Sequence, residues 1–170
     1  MGVAFDLFGI RMNHNSLMGE RNRPYGSDAG KPRSERYASA IRRLNEAVEA
    51  GYYVETIAIE ESLICDRMES LANELSDGKF SYKTIGCLTD FLLGKKQKDA
   101  ISPEIAEALK QIKQWAEKRN NAVHELAKLT PDMTETFDDS YRKLEDVAKD
   151  GLSLFRKLDN LIQKQRRKRP

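Results

Sequence analysis

The sequence contains few of the residues that mark several large classes of protein. Only two of its 170 residues are cysteine and two are histidine, which is too few for a disulfide framework or a zinc site. No apolar run is long enough to span a bilayer. Although 33% of the residues are charged, the formal net charge is only +2. The chain is therefore not uniformly basic, and any contact with nucleic acid must come from a local patch.

The scarcity of these residues also indicates the cellular compartment and makes several cofactors unexpected. Cys65 and Cys87 predict unpaired thiols in a reducing compartment. "SDAGKPRS" contains a Gly-Lys pair, but it lacks the spacing of a phosphate-binding loop and a preceding strand. We therefore expect a soluble, cytoplasmic protein with no cofactor, no metal and no membrane partner.

The abundant residues favour helix. Leu, Ala, Glu, Lys and Arg are plentiful, whereas glycine and proline number only ten and five, a bias typical of helical proteins. Ser34 is a plausible N-cap for the first helix and Pro103 suits the first turn of the fourth. The last predicted helix carries one apolar stripe, which comprises Phe137, Tyr141, Leu144, Ala148, Leu152, Phe155, Leu158 and Ile162. The pattern predicts an all-α, up-and-down bundle of about four long helices plus one short helix. Residues 1–33 are predicted to be a mobile N-terminal arm, residues 34–163 the bundle, and residues 164–170 a basic C-terminal tail.

The fourth predicted helix has polar residues beside its apolar face. In "WAEKRNNAVHEL", Arg119 occupies a position where the apolar spacing calls for a core residue. Asn120 and His124 lie on one flank of this face, about one turn apart. The pattern predicts three polar groups along the border of an apolar stripe.

The second predicted helix contains an acidic residue in a similar place. Glu61 falls near the middle of an apolar stripe, and Glu60 is the neighbouring alternative. A smaller apolar set on roughly the opposite side indicates a helix with two neighbours, one of which could be a partner chain. The stripe comprises Val54, Ile57, Ala58, Ile64, Cys65, Met68, Leu71, Ala72 and Leu75, and the smaller set comprises Tyr52, Ile59 and Leu63.

Two interpretations fit these polar positions. In the structural one, Arg119 and Glu61 form an ion pair between packed helices. In the chemical one, the guanidinium binds phosphate as a rigid fork of donors, and a histidine exchanges protons near neutral pH. Those groups suit metal-free RNA cleavage, in which the 2′-hydroxyl loses a proton, the 5′-oxygen gains one, and a fixed cation stabilises the phosphorane.

"RNNAVH" resembles the motif of the HEPN superfamily, in which an arginine and a polar residue precede a histidine. "ETIAIEESLICDRMESL" is similar to the helix that precedes this motif and often carries an acidic residue. The similarity covers roughly residues 34–162, mostly as the order and length of the helices. It implies that Arg119 and His124 are catalytic, that Asn120 and Glu61 support them, and that two protomers share one cleft.

The leading hypothesis is a metal-independent endoribonuclease, a toxin or phage-defence effector that acts on RNA as a homodimer under a cognate antitoxin or other regulatory protein. The alternatives are a non-catalytic HEPN-type module that binds nucleotide, RNA or protein, and a helical adaptor in which the polar residues are structural. The basic tail is either a solvated helix end or a contact for the RNA backbone. Its cationic residues are Lys164, Arg166, Arg167, Lys168 and Arg169.

Overall fold

The computed structural model describes residues 27–76, 83–126, 128 and 134–168. Within these ranges every regular element is helical, so the all-α prediction is confirmed for the described part of the chain. None of the described helices is both long and apolar enough to cross a membrane. The elements are α1 (Ser27–Glu49), α2 (Tyr53–Leu75), α3 (Ile85–Leu92), a 3-10 turn (Lys98–Ala100), α4 (Pro103–Glu125) and α5 (Phe137–Lys168).

The chain divides into two units, with the boundary between Ala38 and Ser39. α1 begins at Ser27, inside the segment predicted as an arm, so Ser34 is not its N-cap. Residues 1–26 of the predicted arm lie outside the described residues. At the other end, α5 continues without a break through Lys168, so the predicted tail begins as the last turns of a helix.

Local sequence explains the start of α4, where Pro103 was predicted, and the turn between α1 and α2. The side chain of Ser102 caps α4 by accepting a hydrogen bond from the Ile105 amide at 3.3 Å, and Pro103 follows in the first turn. This position suits proline because the first amides of a helix have no intrahelical partner. Between α1 and α2 the chain reverses at Gly51, whose φ of 72° is readily adopted only by glycine.

α5 packs against both α2 and α4. α2 runs parallel to α5, because Tyr53 contacts Tyr141 near the start of both helices and Glu74 pairs with Arg166 near their ends. α4 runs antiparallel to α5, since the amide of Ser102 bonds to the side chain of Gln165 at 3.0 Å. The start of α4 and the end of α5 therefore lie at one end of the bundle, and the end of α4 lies at the other.

α3 fills the space between α2 and α4. The side chain of Thr84 caps it by accepting a hydrogen bond from the Cys87 amide at 3.3 Å. An ion pair of 2.8 Å joins Asp90 in α3 to Lys113 in α4. α3 thus connects two helices that both pack against α5.

The buried face of α2 differs from the predicted stripe. Val54 and Ala58 are exposed, Cys65 is half-buried, and Leu63, which was assigned to the second apolar set, belongs to the core. The buried residues follow a face rotated from the predicted one, which carries Glu60 rather than Glu61 into the core. The buried residues of α2 are Thr56, Ile57, Glu60, Leu63, Ile64, Arg67, Met68, Leu71 and Ala72.

The buried face of α5 was also predicted incorrectly at two places. Gly151 is buried and Leu152 only half-buried, although Leu152 was assigned to the core stripe. Phe137 was assigned there too, but it is 59% exposed. Gly151 lies where α5 contacts both α2 and α4: a Cβ atom there would overlap Glu60 Oε2 and would be 2.7 Å from Trp115 Cζ2.

We predict that Gly151→Ala destabilises the fold. Alanine favours helix by up to about 1 kcal/mol over glycine, but its methyl group would overlap the Glu60 carboxyl and the Trp115 indole. Such overpacking typically costs about 1–3 kcal/mol. Urea unfolding followed by far-UV circular dichroism measures the net change in the free energy of unfolding.

Gly86→Ala is the matched control, because a Cβ atom at Gly86 meets nothing within 4 Å. It should leave stability unchanged or raise it by up to about 1 kcal/mol. Equal stability of the Gly151 and Gly86 variants would show that the helices are not in close contact at Gly151.

Candidate functional site

Arg119 is anchored at the contact between α4 and α2. Its Nη2 atom donates a hydrogen bond to Oε1 of Glu61. The two side chains are 18% and 36% exposed, respectively. The pairing anticipated by the structural interpretation is therefore present, but the pair lies at the edge of the core rather than inside it.

Trp115 supports the same guanidinium from within α4. The Cζ atom of Arg119 lies 6.0 Å from the centroid of the indole ring, at the outer limit of a cation–π contact. Trp115 is itself buried, and its Nε1–H donates to the Val147 carbonyl of α5 at 2.8 Å. The indole is thus fixed by α5, and the position of Arg119 depends on it.

Glu60 occupies the core directly behind this pair. Its side chain is fully buried, and neither carboxyl oxygen has a hydrogen-bond partner among the described residues. Burial raises the pKa of Glu60 from 4.5 to about 9, against the opposing effect of the positive charge of Arg156. The carboxyl is consequently protonated at neutral pH, which removes most of the cost of burying it.

Consecutive glutamates thus anchor α2 to two different helices. Glu60 packs against Gly151 of α5 and Glu61 binds Arg119 of α4. Neighbouring residues in a helix point about 100° apart, so one turn of α2 contacts both helices. We call Glu60, Glu61, Trp115, Arg119 and Gly151 the polar clamp.

His124 and Asn120 lie outside the polar clamp. Both are exposed on α4, and neither forms a hydrogen bond or ion pair with another described side chain. Five residues separate Arg119 from His124, a rotation of about 140° and a rise of about 7.5 Å along the helix. Within one chain, the structure therefore brings Arg119 and Glu61 together but does not bring His124 to them.

The basic residues predicted to contact RNA lie at the other end of the bundle from His124. Lys164, Arg167 and Lys168 are exposed on the last turns of α5. Arg166 instead ties α5 to α2, because its Nη2 atom donates to Glu74 and, at 2.8 Å, to Ser70 Oγ. Arg169 lies outside the described residues.

Sequence reasoning missed a second polar contact in the core. Nη1 of Arg67 lies 3.4 Å from Oδ1 of Asp159, and both side chains are almost fully buried. Arg67 follows Glu60 by seven residues, so the two lie on the same line of α2 between buried apolar residues. The seven-residue spacing could have indicated that Glu60 and Arg67 share one face of α2. It was missed because the predicted apolar stripe was placed on a different face, through Val54 and Ala58.

Two further chemistries receive no support from the described residues. Burial, with smaller effects from Glu61 and Glu69, raises the pKa of the Cys65 thiol to about 11, so Cys65 is not a thiolate nucleophile at neutral pH. No group of three or more His, Cys, Asp or Glu side chains is placed to hold a metal ion in the part of the chain that the structure describes.

No protein-family model matches the sequence, and no curated protein or solved structure matches it significantly. The similarity to HEPN proteins therefore rests on the "RNNAVH" motif and the order of the helices alone.

We predict that Glu60→Gln changes the pH dependence of stability. The pKa of Glu60 is higher in the folded protein than in the unfolded chain, so the folded state retains a proton that the unfolded chain has released between about pH 4.5 and 9. The Glu60 contribution is therefore fully present below that range and is lost as the pH rises through it, by up to about 1.4 kcal/mol per pH unit. Glutamine keeps the shape and cannot ionise.

The measurement is the free energy of urea unfolding of both proteins between pH 5 and 9. The variant should gain stability relative to the parent as the pH rises. Parallel curves would show that the Glu60 carboxyl titrates normally in the folded state.

Proposed function

We propose that the chain is a metal-independent endoribonuclease of the HEPN type. The observation that carries this proposal is the contrast between Arg119 and His124. Arg119 is fixed by Glu61 and Trp115, whereas His124 is exposed on the same helix and contributes no described contact to the fold. A fixed cation and an unengaged histidine are the groups that phosphoester cleavage through a 2′-hydroxyl requires.

In the proposed reaction, the ribose 2′-oxygen attacks the adjacent phosphorus. A bond forms between these two atoms, and the bond from phosphorus to the 5′-oxygen breaks. One base takes the 2′-hydroxyl proton and one acid gives a proton to the 5′-oxygen. His124 supplies this proton transfer, and Arg119 stabilises the extra negative charge of the phosphorane. Asn120, one turn before His124, orients the imidazole or the substrate.

A homodimer completes this scheme. One chain places Arg119 and His124 on different sides of α4, and only one histidine lies among the described residues. A symmetric dimer brings two copies of each group to one cleft, so that one histidine acts as base and the other as acid. The proposal includes an up-and-down bundle arrangement, and a cellular role as a toxin or phage-defence effector that a cognate antitoxin or other regulatory protein controls.

A non-catalytic binding module is the second candidate, and it is favoured by the contact between Glu61 and Arg119. Glu61 already occupies Nη2 of Arg119, so a phosphate must either displace the carboxylate or bind through the remaining donors. Because Glu61 is partly exposed, both modes of phosphate binding are sterically open. A module that only binds ligand has no need of His124 as a proton donor, and the variants below separate the two candidates.

The first test concerns the ion and the products. Purified protein should cleave mixed single-stranded RNAs equally well with and without EDTA, because the proposed reaction uses only imidazole and guanidinium groups. The products should end in a 2′,3′-cyclic phosphate or its hydrolysed form. Products with a 5′-phosphate and a 3′-hydroxyl, formed only with Mg²⁺, would contradict the mechanism.

The second test compares activity with stability. His124→Ala should lower cleavage by about 100- to 10,000-fold, with little change in Tm because the side chain is exposed. Arg119→Lys keeps the charge but loses the planar fork, so it should also cleave poorly. Since the Arg119–Glu61 pair is partly exposed, its loss should cost about 1 kcal/mol or less.

Asn121→Ala is the matched control, because Asn121 is equally exposed on the same turn of α4 and has no role in the scheme. It should cleave like the parent. If His124→Ala also cleaves like the parent, or if activity falls only in step with stability, "RNNAVH" is a structural feature of α4.

A further inference from the structure

We propose that the end of the bundle remote from His124 is a second binding surface for the RNA backbone. We call it the cationic cap and define it as Lys95, Lys96, Lys164, Arg167 and Lys168. The inference rests on the proposed function for its ligand, and it adds a substrate class: single-stranded RNA long enough to reach from the cap to His124.

The fold brings two basic segments together at this end. The side chain of Gln165 in α5 donates to the Ala100 carbonyl at 3.2 Å and accepts from the Ser102 amide at 3.0 Å. Lys164 and Lys168, on the adjoining turns of α5, line a shallow cleft with Ser102 and Glu104 at the start of α4. The connection from α3 to α4 is therefore fastened to the last turns of α5.

Lys95 and Lys96 belong to the same end. Successive turns fold the chain between Gly94 and Ala100, where the Gln97 amide bonds to the Gly94 carbonyl and the Ala100 amide to the Gln97 carbonyl. At about 2 Å per residue in such turns, the backbone of Lys96 lies about 8 Å from that of Ala100. Both lysines are exposed, so their ammonium groups add to the charge of the α5 terminus.

The charge of the chain is concentrated here. Residues 95–104 and 164–168 together carry a formal charge of +5, whereas the whole chain carries +2. The remainder is therefore net acidic. Among the described residues, no member of the cationic cap forms an ion pair, unlike Arg166, which is bound to Glu74. Lys164 and Lys168 share their cleft with the Glu104 carboxylate. The formal charge of +5 already includes that carboxylate, so the cap keeps a surplus of cations that can replace the counterions of a polyanion.

The distribution of apolar residues favours RNA over a lipid surface. Helices that bind membranes bury an apolar face beside their basic residues. The large apolar side chains that are exposed in the described part, Tyr52, Val54 and Phe137, begin α2 and α5 and so lie at the opposite end of the bundle. Among the described residues the cap has no exposed large apolar side chain, and Leu161, which lines its cleft, is half-buried. Such a surface fits a phosphate backbone.

The length of α4 determines how long an RNA must be to contact both the cap and His124. His124 follows Ser102 by 22 residues, which corresponds to about 33 Å of helix. A strand with stacked bases rises about 3.4 Å per nucleotide, so about 10 stacked nucleotides reach both places. A much shorter RNA can occupy the catalytic end or the cap, but not both.

The binding test uses a fluorescein-labelled 16-nucleotide 2′-O-methyl RNA, which cannot be cleaved through a 2′-hydroxyl. Two variants alter the cap: Lys95→Glu with Lys96→Glu, and Lys164→Glu with Lys168→Glu. The control is Lys110→Glu with Lys157→Glu, which changes the net charge equally on exposed positions away from the cap. Fluorescence anisotropy at several salt concentrations gives Kd, and circular dichroism verifies folding.

Each cap variant should weaken binding at least about 10-fold relative to the control, and the salt slope should fall by about 1.4 for two lost phosphate contacts. Cleavage of a 16-nucleotide RNA should fall with it, whereas cleavage of a 4-nucleotide RNA should change less than two-fold. Because the binding probe cannot be cleaved, the change in Kd can be interpreted even if the protein proves not to be a ribonuclease. Equal RNA binding by the cap and control variants would overturn the proposal that the cap binds RNA. The same conclusion would follow if the cap variants lost binding to phosphatidylserine vesicles but still bound RNA normally.

Discussion

The close approach of three helices at Gly151 is the constraint on which the rest of the fold depends. α5 lacks a side chain at this position, and the space is filled by the Glu60 carboxyl of α2 and the Trp115 indole of α4. Burying a carboxyl group with no described hydrogen-bond partner is costly, and protonation lowers that cost. The helices can approach this closely because glycine provides the space and the carboxyl remains neutral.

The candidate site is a consequence of that approach. Trp115 is fixed between Gly151 and the Val147 carbonyl, and the guanidinium of Arg119 lies one turn further along α4 beside the same indole. Glu61 completes the arrangement from α2. The core thus specifies where one cation is held at the edge of the bundle, and it leaves the next turn of α4, with Asn120 and His124, exposed.

The sequence predicted the composition-driven features well and the phase of the buried faces poorly. Helix content, the Pro103 start of α4 and the pairing of Arg119 with Glu61 follow from propensity, capping and spacing. The placing of Glu61 in the middle of the apolar stripe of α2 was wrong, because the polar residues Glu60 and Arg67 occupy core positions of that helix. Because glycine has no apolar side chain, an apolar stripe cannot identify Gly151 as a core residue, and the predicted stripe of α5 included Leu152 instead. Contacts between helices decided these positions.

The same contacts separate the two proposed functional regions along the bundle. His124 and the exposed aromatic residue Phe137 lie towards one end, and the exposed Lys164 and Lys168 of α5 lie at the other. The proposed chemistry requires only the first region, whereas the proposed affinity for a long polyanion requires the second. In this proposal a few positioned groups are responsible for catalysis, and the dimensions of the bundle determine the length of the substrate.

The central claim is that a ribose 2′-hydroxyl is the nucleophile in the reaction. It is tested most directly with an RNA that carries a single 2′-deoxy substitution at the nucleotide 5′ to a mapped cleavage site. This RNA should bind with the Kd of the unmodified RNA and should not be cut at that site, while other sites are cut normally. Cleavage of the substituted site at the normal rate would contradict the proposed mechanism, because a nucleophile other than the 2′-hydroxyl must then attack the phosphorus.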